Sequence, residues 1–126
     1  MVLVRLTAQC YPTEDKAQVL GAITQIFPDA EIVGDDVLTA TSTSIELYGE
    51  ILKRQRIRDA ARKVMRRGLK GNTTSFRLNK QVAAIGKISF SEESHALGDI
   101  EVTIESEDIE ALIDSIAPNT RREGRL

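Results

Sequence analysis

Cysteine is almost missing from this sequence. Cys10 stands alone among 126 residues, so no intramolecular disulfide can form. That excludes the disulfide-stapled secreted scaffolds and suits a cytoplasmic location. Tryptophan is absent and aromatic residues make up 4% of the chain, which argues against a platform of rings on which single-stranded bases stack. No apolar run approaches the roughly 20 residues a bilayer span requires, and the N-terminus begins on a strand-like alternation with no signal-peptide pattern. His95 is the single histidine, set beside Glu92, Glu93 and Ser94; one imidazole with scattered carboxylates is not a transition-metal set. No nucleophile–base pair is visible, and Gly68–Asn72 lacks the Gly-Lys-Ser/Thr ending of a phosphate-binding loop. The expectation is a protein that is not an enzyme and carries neither metal nor cofactor.

What the sequence does have is an uneven distribution of charge. Residues 53–87 hold twelve of the 17 Lys and Arg and a single acid, Asp59, a net +11. Residues 1–52 carry two bases against eight acids, and residues 88–126 three against ten. These flanks of −6 and −7 conceal the basic segment inside an overall charge of −2. A segregated run of this kind is the electrostatic footprint of a face that binds a polyanion.

Periodicity supplies the elements. Residues 2–10 alternate apolar and polar as a half-buried strand. Thr13, Glu14 and Asp15 start a helix expected over 14–26 and stopped by Pro28. Residues 31–33 and 37–41 form a hairpin around Gly34-Asp35-Asp36. Thr43 and Glu46 have the spacing of a capping box for a helical region over 44–67. The apolar stripe of that region changes phase near Arg54–Arg56, which predicts a kink or two consecutive helices. Gly68 is placed just beyond its end. Strands are expected at 75–80 and 82–90, with a bulge at Gly86, then a polar connection over 91–98 and a strand over 100–104. A last helix, capped by Ser106, carries Ile109, Leu112, Ile113 and Ile116 and ends at Pro118. The order β-α-β-β-α(α)-β-β-β-α contains no repeating crossover unit. It predicts an α+β fold, a mostly antiparallel sheet with helices on one face, over residues 1–118, with 119–126 a frayed tail.

Within the basic segment, Arg58, Arg62 and Arg66 recur every fourth residue, with Arg56, Lys63 and Arg67 on the neighbouring flank. At about 100° per residue they fill one side of the helix, opposite Ile57, Ala61 and Val64. Arginine's planar fork suits phosphate. The candidate phosphate-binding residues are therefore Arg58, Arg62, Lys63, Arg66 and Arg67, extended by Lys70, Arg77 and Lys80. Asn79 and Gln81 are candidates for sugar or base contacts, or else for capping a turn. The competing reading of the basic face is a solvated surface paired with the protein's own acids.

The strings YPTED at 11–15, IFP at 26–28, LKRQRIRDAAR at 52–62, FRLNKQVAAIGKISF at 76–90 and LGDIEVTI at 97–104 resemble a small archaeal family labelled as predicted RNA-binding proteins. The resemblance covers nearly the whole chain, and LNKQVAAIG is its most specific block. It implies an α+β fold like that of the large-subunit ribosomal protein that binds 5S rRNA, and RNA as the partner; it brings no catalytic motif. The alternative function is a protein-interaction module whose basic segment docks on an acidic partner or on a second copy of the chain.

Overall fold

Alternation along three long strands gives this protein its sheet. The computed structural model describes residues 2–91 and 98–118. β1 (Val2–Gln9) is central, pairing antiparallel with β3 (Val37–Ser42) on one side and β6 (Asp99–Ser106) on the other. β2 (Glu31–Val33) adds outside β3; β5 (Thr73–Asn79) and then β4 (Leu69–Lys70) add outside β6. The six strands lie in the order β2-β3-β1-β6-β5-β4, with every pairing antiparallel.

The period of two sends Val4, Leu6, Ala8, Leu38, Ala40, Phe76, Leu78, Ile100, Val102 and Ile104 to one face, where all are buried. The helices cover that face: α1 (Lys16–Thr24), α2 (Glu46–Arg54), α3 (Arg58–Arg67), α4 (Lys80–Ala84) and α5 (Ile109–Ile116). Tyr48 of α2 stacks between Phe27 and Phe76, with centroids 5.9 and 5.7 Å away, and Phe90 meets the edge of Phe76 at 5.7 Å. The buried Thr74 hydroxyl donates to the Met65 carbonyl at 2.5 Å and fixes α3 over β5. The opposite face of the sheet carries Arg5, Gln9, Thr39, Ser75 and Glu101 toward solvent, as antiparallel sheets commonly do.

The α+β class and the mostly antiparallel sheet are as the sequence predicts, and so is a break in the helical region, which falls at residues 55–57, one residue later than expected. The segment 82–90 is different. It is no strand: Asn79 caps α4, its side chain accepting from the Val82 N–H at 3.0 Å, and only Phe90 returns to bridge Leu78. The sixth strand is β4 instead. Caps also shift. Asp15 rather than Thr13 caps α1, its side chain accepting from the Ala17 N–H at 2.9 Å, while Glu14 is engaged by the Tyr11 N–H and by Lys80. Thr43 gives both its N–H and its hydroxyl to Asp29 and so makes no capping box. Asp108, not Ser106, caps α5. Gly68 is at φ −88°, not left-handed; a Cβ there would lie 2.1 Å from the Ser75 carbonyl oxygen, so its hydrogen is what lets α3 run closely into the β4–β5 hairpin. His95 and the expected 119–126 tail lie outside the described residues.

Candidate nucleic-acid interface

Helix α3 has a buried line, Ala61 and Met65, which fixes how every other residue on it faces. About 100° around from that line, Arg62 and Arg66 point toward α5. Arg62 Nη1 is 2.5 Å from Asp114 Oδ1 and 3.2 Å from the Ala117 carbonyl, with its side chain only 22% exposed. Ala117 is the C-cap of α5, whose last turn holds no basic residue, so Arg62 supplies positive charge and a further donor at the carbonyl end of that helix. Arg66 Nη2 reaches Glu110 Oε1 at a looser 3.4 Å and remains 44% exposed. The exposed surface expected to hold Arg58, Arg62 and Arg66 together is thus partly a seam with α5. Lys63 and Arg67 lie on the outward side and are exposed, and Arg58 is half-buried in the first turn. Lys70 extends this row at the tip of the β4–β5 hairpin, opposite Thr73.

Lys80 is a correction. It is buried, 4% exposed, in a pocket of its own partners rather than on the basic surface. Its ammonium donates to the Gln9 carbonyl at 2.6 Å and to both Glu14 carboxylate oxygens at 3.0 and 3.2 Å, and lies 5.4 Å from the centroid of the Tyr11 ring. Asn79 is the α4 cap, and its side-chain oxygen is already occupied. Gln81 is exposed beside it. A recess of about 290 Å³ opens beside Gln81, lined also by Thr13, Glu14, Asp15, Gln18 and Lys80; its one cation, Lys80, is already paired with Glu14, which leaves Asp15 to disfavour an anion. Arg77 is separated from α3 by the sheet. It alternates with Phe76 and Leu78, so it points to the open face, in register with Glu101, and borders a shallow site of about 200 Å³ with Tyr11 and Asp99.

Two observations bear on what this surface can hold. None of the five aromatic side chains is exposed: Phe27, Tyr48 and Phe76 are buried and Tyr11 and Phe90 half-buried. The open sheet face mixes Arg5 and Arg77 with Glu101 and Glu105, and Arg5 is bonded to Glu105 at 2.7 Å. The run of exposed bases Lys53, Arg54, Arg56, Lys63, Arg66, Arg67 and Lys70 lies instead with α2, α3 and the β4–β5 hairpin. Among the described residues no group of three or more His, Cys, Asp or Glu is arranged to hold a metal ion, and no helix is long and apolar enough to cross a membrane.

A family model described as RNA binding matches residues 3–106. A UPF0201 protein of Methanothermobacter thermautotrophicus is 42% identical over 120 residues, 92% of this chain and 91% of that one. The chain belongs to the UPF0201 family. A crystal structure of the UPF0201 protein from Methanococcus jannaschii matches with a TM-score of 0.87 at 38% identity, covering 93% of each chain. In Archaeoglobus fulgidus a UPF0200/UPF0201 protein is 36% identical over 124 residues, which are 95% of this chain and 38% of that one. The UPF0201 domain is there part of a longer polypeptide.

The four bases Lys53, Arg54, Arg56 and Lys87 are absent from the sequence-based candidates, yet all are exposed on the helical side. The signal was in the +11 window; what was missing was the contact that draws Lys87 to the end of α2. Gln55 makes it, accepting from the Ile88 N–H at 2.7 Å and donating to the Ile88 carbonyl at 2.9 Å.

Proposed function

We propose that this protein binds structured RNA in the cytoplasm, through phosphates and without catalysing a reaction on it. The observation that carries the reading is the outward side of α3, where Lys63 and Arg67 are exposed, Arg66 is loosely held and Lys70 continues the row. The description of the matching family model points the same way, and the likeness to the ribosomal protein that binds 5S rRNA, inferred from sequence, belongs to the same proposal. Buried rings leave no stacking platform, which favours recognition of a duplex by shape and backbone over recognition of unpaired bases. Mixed charge on the open sheet face favours docking on the helices.

Counterion release makes such binding fall steeply with salt. With about 5–6 phosphate contacts the slope of log K against log salt is about −4 to −5, using the coefficient for double-stranded DNA. The test is a salt titration of a hairpin RNA against the wild type and K63Q/R67Q. The double variant should lose about 2 from the slope and melt as the wild type does, since neither side chain enters the core. Absence of wild-type binding at low salt, or an unchanged slope in the variant, overturns the reading.

A second reading is favoured by the Archaeoglobus fulgidus relative, in which the domain shares its chain with a further region. On that reading the basic surface docks on an acidic protein partner. Wild type that ignores RNA but binds separately expressed UPF0200 protein would put it first.

A further inference from the structure

Two helices of this protein end in the same way, and only one of them ends on the residue that the geometry favours. At the end of α4, the Gly86 N–H donates to the Ala83 carbonyl at 2.9 Å and the Lys87 N–H to the Val82 carbonyl at 3.2 Å. At the end of α2, the Arg56 N–H donates to Lys53 at 3.1 Å and the Ile57 N–H to Leu52 at 3.0 Å. Both are the paired bonds of a Schellman turn, whose central residue must be left-handed. Gly86 has φ 77° and Arg56 has φ 58°; Arg56 is the only non-glycine with positive φ among the described residues. An L-residue with a long side chain pays a conformational penalty there that glycine avoids.

The surroundings do not offset that penalty through any contact of the Arg56 side chain. It is exposed and has no hydrogen bond or ion pair with another described residue, and the same holds for Lys53 and Lys87. Arg54 has one loose ion pair, 3.8 Å from Glu50, with both side chains about 70% exposed. The Gln55–Ile88 clamp holds Lys87, next in sequence to Ile88, against this turn. Four exposed cations thus stand at the end of α2 or in the segment that the Gln55 side chain ties to it, and among the described residues their ion pair is the weak one from Arg54 to Glu50. A strained residue with no local reward is a pointer to a role outside the fold.

We propose that this corner, Lys53, Arg54, Arg56 and Lys87, is a second phosphate-binding site for the RNA backbone, with Arg56 at its centre. The proposal rests on the RNA reading above and extends it. The corner lies just before the first turn of α3, and the Lys63–Arg67–Lys70 row runs from the middle of α3 past its end; the helix's ten residues span about 15 Å. A ligand held at both ends of α3 has a stiff, regularly spaced backbone, which a duplex stem supplies and an unpaired strand does not.

The test uses the full chain, a hairpin RNA with a continuous stem, and three variants of one residue. R56Q removes the charge, R56K keeps the charge, and R56G removes both the charge and the penalty. R56Q and R56G should each reduce the salt slope by about 0.9 and bind roughly eightfold more weakly near 0.1 M salt, while R56K keeps the slope. R56G should melt about 2–4 °C higher than wild type, so that stability and affinity move in opposite directions. If R56Q and R56G bind as wild type while K63Q/R67Q is impaired, RNA binding stands and the corner is overturned as part of it. If R56K loses the slope as R56Q does, charge on phosphate is not what Arg56 supplies, and the proposal fails. If the wild type ignores the RNA altogether, the underlying reading falls and the corner with it.

Discussion

The two halves of the basic segment have the same charge sign and opposite fates. Over residues 53–70 the chain is mostly helical, and the helical period leaves Lys53, Arg54, Lys63, Arg66 and Arg67 outward, while Arg56 in the turn before α3 and Lys70 in β4 are exposed as well. Over residues 77–87 the chain is a strand, one short helix and a turn. Alternation sends Arg77 through to the far face of the sheet, the first residue of α4 turns Lys80 into the core, and only Lys87 joins the other bases. A run of charge in sequence is therefore not yet a patch. Element type decides, residue by residue, which cations serve the fold and which are left for a ligand. Burial grades them: Lys80 at 4% exposed, Arg62 at 22% and Arg66 at 44%.

The largest effect is expected at the buried end of this scale. K80M would leave the Glu14 carboxylate, 10% exposed, with the Tyr11 N–H but no cation. Removing one partner of a buried pair costs about 3–5 kcal/mol, whereas replacing both by apolar residues is often close to neutral. Urea unfolding should therefore show K80M destabilised by that amount and K80M/E14L recovering most of it. A loss under about 1 kcal/mol in K80M would erase the distinction between Lys80 and the surface bases.

Arg62 is expected to be intermediate. It gives two hydrogen bonds to α5, one of them to a carboxylate that is itself 59% exposed. Solvent screening discounts the ion pair, so R62Q should cost about 1–2 kcal/mol, mostly through the undocked end of α5. D114N should cost less, since Arg62 keeps the Ala117 carbonyl. The same R62Q should change the salt slope for RNA by less than half of what K63Q/R67Q does. A larger change would move Arg62 into the ligand-facing class.

Much of the fold was legible because its information is local. The alternations in β1, β5 and β6 and the change of phase between α2 and α3 are read within a dozen residues. α4 was not legible: at five residues it is too short to display a helical period, and Val82, Ile85 and Ile88 resemble a strand as readily. The signal that did exist was Asn79 three residues before Val82, a cap spacing inside a stretch read as extended. The candidate site was legible as a composition and illegible as a surface. Lys80 finds Glu14 66 residues away, and Arg62 finds Asp114 52 residues away. Pairings at that range leave no periodic trace. The segregation of acids into the flanks, which made the basic run conspicuous, is itself what supplies those distant partners.

Arg66 lies between the two classes, and the smallest effect is expected there. Its ion pair with Glu110 is long, at 3.4 Å, and both side chains are well exposed, at 44% and 63%. Such a pair contributes about 0.2–1 kcal/mol and weakens with salt, so E110Q should shift the melting temperature little. The carboxylate nevertheless competes with a phosphate for the same guanidinium. A phosphate that meets Arg66 must displace it, and the displaced Glu110 remains as a negative charge beside the RNA. E110Q removes both costs. It should tighten hairpin RNA binding a few-fold at low salt and steepen the salt slope by up to about 1, the value of one fully engaged contact. Tighter binding with an unchanged melt would assign Arg66 to the ligand. A melt lowered by several degrees with unchanged binding would assign it, with Arg62, to the seam that holds α5.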